Sequence, residues 1–274
     1  MKQSKLPDTE KISSSQDQLD YIKHYHYHKI MIRFIRIFIL IFFLVTWELL
    51  SDFKIIDSFF FSSPIKVVQL FCKMCANFEI FYHIGITLLE TIVSFLIVNG
   101  ITIIIAILLL SSNHISEIAE PYLVILNSLP KSALAPLLIV WLGTGMKTII
   151  VAGISVAIFG SVINLYSGFK QVDKEKIKLI YTLGGVKKDT IFKVIIPSSI
   201  PIILSNMKVN IGLCLVGVII GEFLAAKNGL GYLIIYGSQV FQLDLLIMSI
   251  IILCIISMFL YLLIQSIERY YYKK

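Results

Sequence analysis

Long apolar runs without a charge alternate with short polar segments along this chain. Residues 91–110, 148–169 and 245–267 contain no Asp, Glu, Lys or Arg. Each meets the roughly 20 apolar residues that a helix needs to cross a hydrocarbon core about 30 Å thick. Six spans are predicted: 31–50, 84–110, 118–142, 148–169, 199–225 and 245–267. The first carries Arg33 and Arg36 near one end, where long side chains reach the headgroups, and it reads as an anchor. Residues 51–82 form a loop with a turn at Ser63-Pro64 and an amphipathic helix through Val67, Leu70, Phe71 and Met74, expected to lie at the membrane interface. The third span is broken by Pro121, Pro130 and Pro136 and contains Lys131. It cannot be one straight lipid-facing helix, so its irregular backbone is expected against protein or water.

Residues 170–197 are too charged to cross the bilayer and too rich in helix formers for a plain loop. Asp173 is placed to N-cap a short helix, with Val172 and Ile177 as a hydrophobic staple, and Gly184-Gly185 to end it in a left-handed turn. A second short helix, 188–196, stops at Pro197. Residues 111–117 and 227–242 read as loops, the latter containing Gly229-Leu230-Gly231-Tyr232, and Gly143-Thr144-Gly145 reads as a turn.

Composition narrows the class. With 57% hydrophobic and 15% charged residues, a soluble single domain is the weak alternative. The net charge of +7 admits nucleic acid or anionic lipid as partner until its distribution is considered. Of 24 Lys and Arg residues, seven lie in 2–36, seven in 170–193 and three in 269–274. That segregation sets the tail 1–30, the segment 170–197 and the tail 269–274 in the cytoplasm, which requires an even number of spans. The partner it indicates is the lipid bilayer, and nucleic acid is not expected. The first 29 residues are polar and His/Tyr-rich, with no cleavable signal peptide evident. Cys72 and Cys75 form a CxxC without a second ligand pair nearby, so no metal site is expected. There is no GxxxxGK(S/T) phosphate loop, so ATP and Mg would be bound by another chain, and no cofactor or catalytic residue is expected in this one. Nor is there an inverted repeat or a period of 20 to 50 residues, which weighs against a self-sufficient transporter.

Three segments carry a family resemblance. The run from Ile180 through Gly184 and Gly185 to Pro197 resembles the EAA signature of ATP-binding cassette (ABC) importer permeases, in which a proline follows a glycine at this spacing. Gly221-Glu-Phe-Leu-Ala-Ala-Lys-Asn-Gly-Leu-Gly-Tyr-Leu-Ile234 and Leu129-Pro-Lys-Ser-Ala-Leu-Ala-Pro-Leu-Leu-Ile-Val-Trp-Leu-Gly143 are similar to the nitrate, sulfonate, taurine and bicarbonate branch of that family. The likeness extends over about residues 62–268. It departs where the family's glutamate and two alanines align with Lys178, Leu179 and Ile180, and where a frequent arginine early in the second span aligns with Glu90.

The resemblance implies an all-α polytopic membrane protein with the type I ABC importer permease fold, its core at 83–268 and a cytoplasmic coupling helix. It further implies a place in the bacterial cytoplasmic (inner) membrane, two ATPase subunits, an extracytoplasmic solute-binding protein and a second permease subunit, a homodimer in the simplest case. Lys178, Leu179, Ile180, Tyr181, Thr182, Leu183, Gly184, Gly185 and Pro197 would couple to the ATPase. Lys131, Lys208, Asn210 and Glu222 are polar groups at membrane depth, where an unpaired charge costs several kcal/mol on most estimates. They read either as path or gate residues or as groups paired between helices or snorkelling to the interface, and Glu90 reads as interfacial. The solute would be a small anion such as sulfonate, taurine or nitrate, with a thiamine-precursor pyrimidine or another small organic solute as the alternative. Other classes compatible with the residues are a stand-alone secondary transporter or channel, and a membrane receptor or assembly factor.

Overall fold

The computed structural model describes residues 16–53 and 61–272, and among these every regular element is a helix. Residues 1–58 and 59–274 form two units. The first unit contributes one helix, α1 (Gln16–Asp52), apolar from Tyr27 to Asp52 and with exposed Phe34, Phe38 and Phe42. It starts well before the expected Met31, so part of the expected N-terminal tail is helical. The tail's residues 1–15, the loop's residues 54–60 and the last two residues of the C-terminal tail lie outside the described residues.

The second unit is a helical bundle. Ser63 accepts the Lys66 N–H and Pro64 opens α2 (Pro64–Ala76), because a hydroxyl can cap and a proline needs no donor in the first turn. Val67 and Met74 are buried against α3 (Glu79–Ser111) and α12 (Leu243–Tyr272), so α2 joins the bundle and only its other face, with Ile65 and Val68, is exposed. The expected loop 111–117 shrinks to Ser112, whose side chain accepts the Ile115 N–H and starts α4 (Asn113–Ser128) at once. Then comes α5 (Lys131–Leu142), bent 94° from α4. Pro121 and Pro136 lie within these helices; the break is at Pro130, which forces Leu129 into an extended conformation (ψ 138°). Three C-terminal carbonyls of α4, those of Leu126, Asn127 and Leu129, accept from Lys131 Nζ at 2.7, 2.6 and 3.1 Å.

The next elements are α6 (Met146–Lys170), α7 (Lys174–Thr182), α8 (Lys187–Thr190), a π turn (Ile191–Ile195) and α9 (Ile196–Ser198). They lead into α10 (Ile200–Ala225) and α11 (Leu230–Gln239), a helix where the glycines at 229 and 231 suggested a loop. Among the described residues, five helices are long and apolar enough to span a bilayer, and the bent α4–α5 pair makes a sixth crossing if it counts as one. No strand occurs among the described residues.

Small residues set the core. Lipid tails are as apolar as leucine, so membrane helices associate through close packing and interhelical hydrogen bonds. The helix α6 packs between α3 and α10. A Cβ on Gly217 would sit 2.7 Å from Gly153 Cα and 2.9 Å from the Ala152 carbonyl, so the α6 and α10 backbones nearly touch. Along the same seam Ser161 Oγ accepts from Thr102 Oγ1 (3.1 Å), Asn206 Nδ2 (2.7 Å) and Asn210 Nδ2 (2.8 Å), tying α3, α6 and α10 together.

We expect Gly217→Val to lower stability by about 1–3 kcal/mol, the usual range for overpacking, because the neighbours it meets are backbone. Gly212, whose added Cβ would meet nothing within 4 Å, should tolerate alanine with no loss. Thermal unfolding of both variants in detergent or lipid checks the contrast.

Candidate functional site

Two constellations of polar residues stand at separate places in the bundle. The first is the lysine-rich segment between α6 and α10. Asp173 Oδ1 accepts the Glu175 N–H at 2.9 Å and caps α7, and Val172 and Ile177 join one apolar cluster, as the staple requires. The helix ends in a Schellman motif. Gly185 N–H donates to the Ile180 carbonyl at 2.9 Å, Gly184 N–H donates to the Tyr181 carbonyl at 3.0 Å, and Gly184 has φ +79°. The two glycines serve different needs. A Cβ on Gly184 would meet nothing within 4 Å, so its constraint is conformational, whereas a Cβ on Gly185 would lie 2.9 Å from the Ile180 carbonyl oxygen.

Asp189 then accepts the Val186 N–H at 3.1 Å and pairs with Lys193 at 2.8 Å. Its hydrogen bond from Lys193, with the Val186 N–H second, holds its carboxyl below the usual range. This solvent-screened contribution is present above the ordinary carboxylate pKa and fades as pH falls through the lowered one. The expected helix 188–196 is instead a composite from Lys187 to Ser198. Its middle is a π turn, and neither Pro197 nor Pro201 has an N–H to give to the preceding turn. Ile191 and Ile195 are buried with Leu165 and Phe169 of α6 and Ala106 of α3. Root and surface thus differ in character: Leu179, Tyr181, Leu183, Val186 and Phe192 are large apolar side chains left exposed, Leu183 at 75%. Lys178 and Pro197 are exposed and Ile180 is half-buried.

The second constellation holds the start of α11. Gly229 N–H donates to His83 Nδ1 (3.0 Å), Leu230 N–H to Thr87 Oγ1 (2.9 Å) and Gly231 N–H to Glu222 Oε2. Thr87 Oγ1 donates in turn to Glu222 Oε1 at 2.7 Å. A helix begins with N–H groups that have no partner in the helix, and its dipole favours a negative group there. Side chains from α3 and α10 supply both. Gly229 (φ +109°) and Gly231 are where Glu222 comes closest: a Cβ on either would overlap its side chain. The rings of His83 and Tyr232 stack with centroids 6.3 Å apart.

Of the four expected path or gate residues, Glu222 lies here, completely buried. Glu90 was expected at the interface and is only 1% exposed, within hydrogen-bonding reach of Glu222. A bundle of small residues brings α3 and α10 close enough to enclose it. Glu90 also lines a cleft of about 430 Å³ with Tyr82, Thr144, Lys227 and Asn228. The remaining three lie elsewhere. Lys208 pairs with Glu268 of α12 at 2.7 Å, Asn210 Nδ2 also donates to Asn99 at 3.0 Å, and Lys131 closes the α4 end. Lys208 and Asn210 are thus paired between helices, whereas Lys131 bonds the carbonyls at the break of its own bent span. His83 and Thr87 were not identified from sequence, although polar residues at 83, 87 and 90 recur on one face of an apolar helix, the signal that could have found them.

Known proteins resemble this chain in sequence and in architecture. Residues 98–274 match the family described as the binding-protein-dependent transport system inner membrane component. A probable ABC transporter permease protein of Haemophilus influenzae is 30% identical over 80% of this chain and 88% of its own length. A putative aliphatic sulfonates transport permease of Bacillus subtilis is 25% identical, with 81% of each chain covered. Further relatives bear the names of formylaminopyrimidine, riboflavin and taurine transport permeases. Among solved structures, the inward-facing methionine ABC transporter MetNI superposes with a TM-score of 0.59 at 17% identity, over 70% of this chain and 95% of that one. On the matched residues and that degree of identity, the chain belongs to the binding-protein-dependent transport inner-membrane component family, the permeases of ABC importers, and has their type I fold.

Proposed function

We propose that this chain forms part of the translocation path for a small anionic solute of the sulfonate, taurine or nitrate kind, driven by ATP hydrolysis in separate subunits. The observation that carries the coupling role is the α7 turn: a capped helix with exposed Leu179, Tyr181 and Leu183 at its end, rooted in the bundle through Ile191 and Ile195. An apolar surface on a polar, lysine-rich segment is suited to a partner's groove, and its buried root can pass a displacement to α3 and α6. Residues 178–185 and Pro197 would meet the ATPase, which holds ATP and Mg. Two ATPases, two copies of this permease and an extracytoplasmic binding protein would complete the importer, because a path on a two-fold axis needs two equivalent halves. The lysine-rich segment and both termini would face the cytoplasm, and Glu222 and the cleft lined by Glu90 the opposite side, where Lys227 puts a cation beside an arriving anion. The named relatives also favour a second cargo, a thiamine-precursor pyrimidine.

Two measurements test the assignment. Gly184→Trp forces a side chain onto positive φ, at roughly 1–2 kcal/mol of strain, in a spot this chain leaves empty. We expect normal membrane insertion but loss of co-purification with the ATPase, or hydrolysis uncoupled from uptake, with Lys176→Ala much milder. Full association and uptake by Gly184→Trp would remove the coupling role. Cysteines replacing Lys187 and Asn228, in a background without native cysteines, should be labelled from opposite faces of intact cells by an impermeant reagent. Labelling of both from outside would overturn the orientation.

A further inference from the structure

The two carboxyls at the α11 start have no use in the coupling argument, and their setting is unusual. Glu90 and Glu222 are both buried and lie within hydrogen-bonding reach of each other. Neither forms an ion pair with a described Lys or Arg. Glu222 behaves as the acceptor: Thr87 Oγ1 and the N–H groups of Gly231 and Tyr232 all donate to it. Glu90 offers the opposite picture, since no donor reaches its buried Oε2.

We infer that Glu90 and Glu222 form a binding site for one proton, carried on Glu90 and donated to Glu222, and that this proton locks the α11 N-terminus onto α3 and α10. Two adjacent buried carboxylates cannot both hold a charge, so one of them keeps a proton. The donors around Glu222 favour its ionised form, which assigns the proton to Glu90. The cleft that Glu90 lines gives that proton a route to solvent. Removing it sets two negative charges against each other beneath three captured amides, and the structure relieves them by detaching residues 229–232.

Other titratable or charged groups at this end of the elements packed here are Lys73 of α2, Glu79, Tyr82 and His83 of α3, Lys147 of α6, Lys227 of the cleft, Tyr232 and Tyr236 of α11, and Asp244 of α12. His83 acts in the other direction. Its Nδ1 accepts from Gly229, so protonating that nitrogen in acid breaks one of the three contacts. The alkaline limb therefore isolates the carboxyl pair.

Infrared spectroscopy of the full chain in phospholipid nanodiscs tests the site without any transport assay. At neutral pH the wild type should show the carbonyl stretch of a protonated carboxyl in a dry site, lost reversibly as the pH is raised. Glu90→Gln, which keeps the shape and the donated hydrogen bond, should lack the band. Hydrogen exchange gives a second reading that needs no variant: in the wild type, protection of the Gly231 and Tyr232 amides, corrected for intrinsic exchange, should fall over the same pH range as the band. The absence of a protonated-carboxyl band at neutral pH, a band retained in Glu90→Gln, or amide protection independent of pH would each overturn the site. A response to added Na⁺ at fixed pH in place of the pH response would overturn it in favour of a metal cation.

Discussion

A carboxylate buried in a membrane bundle has to be surrounded by donors, and Glu222 recruits them from the first turn of another helix. Thr87 and the backbone amides of Gly231 and Tyr232 converge on it, and Thr87 and His83 hold Leu230 and Gly229. In hydrocarbon, water cannot satisfy those amides, so each pairing removes an orphan donor while it gives the carboxyl a hydrogen bond. The start of α11 is thereby fastened to α3 and α10. Glycine at 229 and 231 follows directly, because a Cβ at either position would occupy the space of the Glu222 side chain.

The same economy of space governs the middle of the bundle. Gly153 and Gly217 let α6 and α10 approach until backbone meets backbone, and Ser161, Asn206, Asn210 and Thr102 then hydrogen-bond across the seam. Neither feature would form without the other: the polar side chains are short and need the close approach, and the close approach would leave them unsatisfied if they did not face one another. Farther along α6 the seam gives way to Leu165 and Phe169, which enclose Ile191 and Ile195. The exposed turn at Gly184 therefore stands on a base continuous with the spans. A groove that grips Leu179, Tyr181 and Leu183 would pull on α3 and α6 through packed side chains, without a flexible linker between.

Much of this was open to a reading of the residues in order, and the parts that were share a physical basis. Apolar run length places a helix in the bilayer whatever its neighbours are, because the backbone must satisfy itself there. Asp173, Gly184 and Gly185 act on groups a few residues away, so the cap and the left-handed turn could be assigned from local chemistry. Pro130 breaks its span for an equally local reason, although Pro121 and Pro136 equally invited a break and caused none. The resemblance of 129–143, 180–197 and 221–234 to importer permeases pointed to the family that the comparisons establish.

The sequence by itself determined the elements and the class: spans, caps, the turn at Gly184 and membership in a family of importer permeases. Only the tertiary structure decided where the polar groups went. Glu90 is 132 positions from Glu222, and nothing in either neighbourhood announces that they meet; the helical period places Glu90 on a face with His83 and Thr87, but which helix covers that face depends on how Gly153 and Gly217 let α6 and α10 close together. Likewise Leu230–Gln239 looks like a glycine-rich loop in sequence and becomes a helix because partners from α3 and α10 satisfy its first amides. Local chemistry is written in neighbouring residues, whereas burial and pairing are properties of surfaces that exist only once the helices have packed.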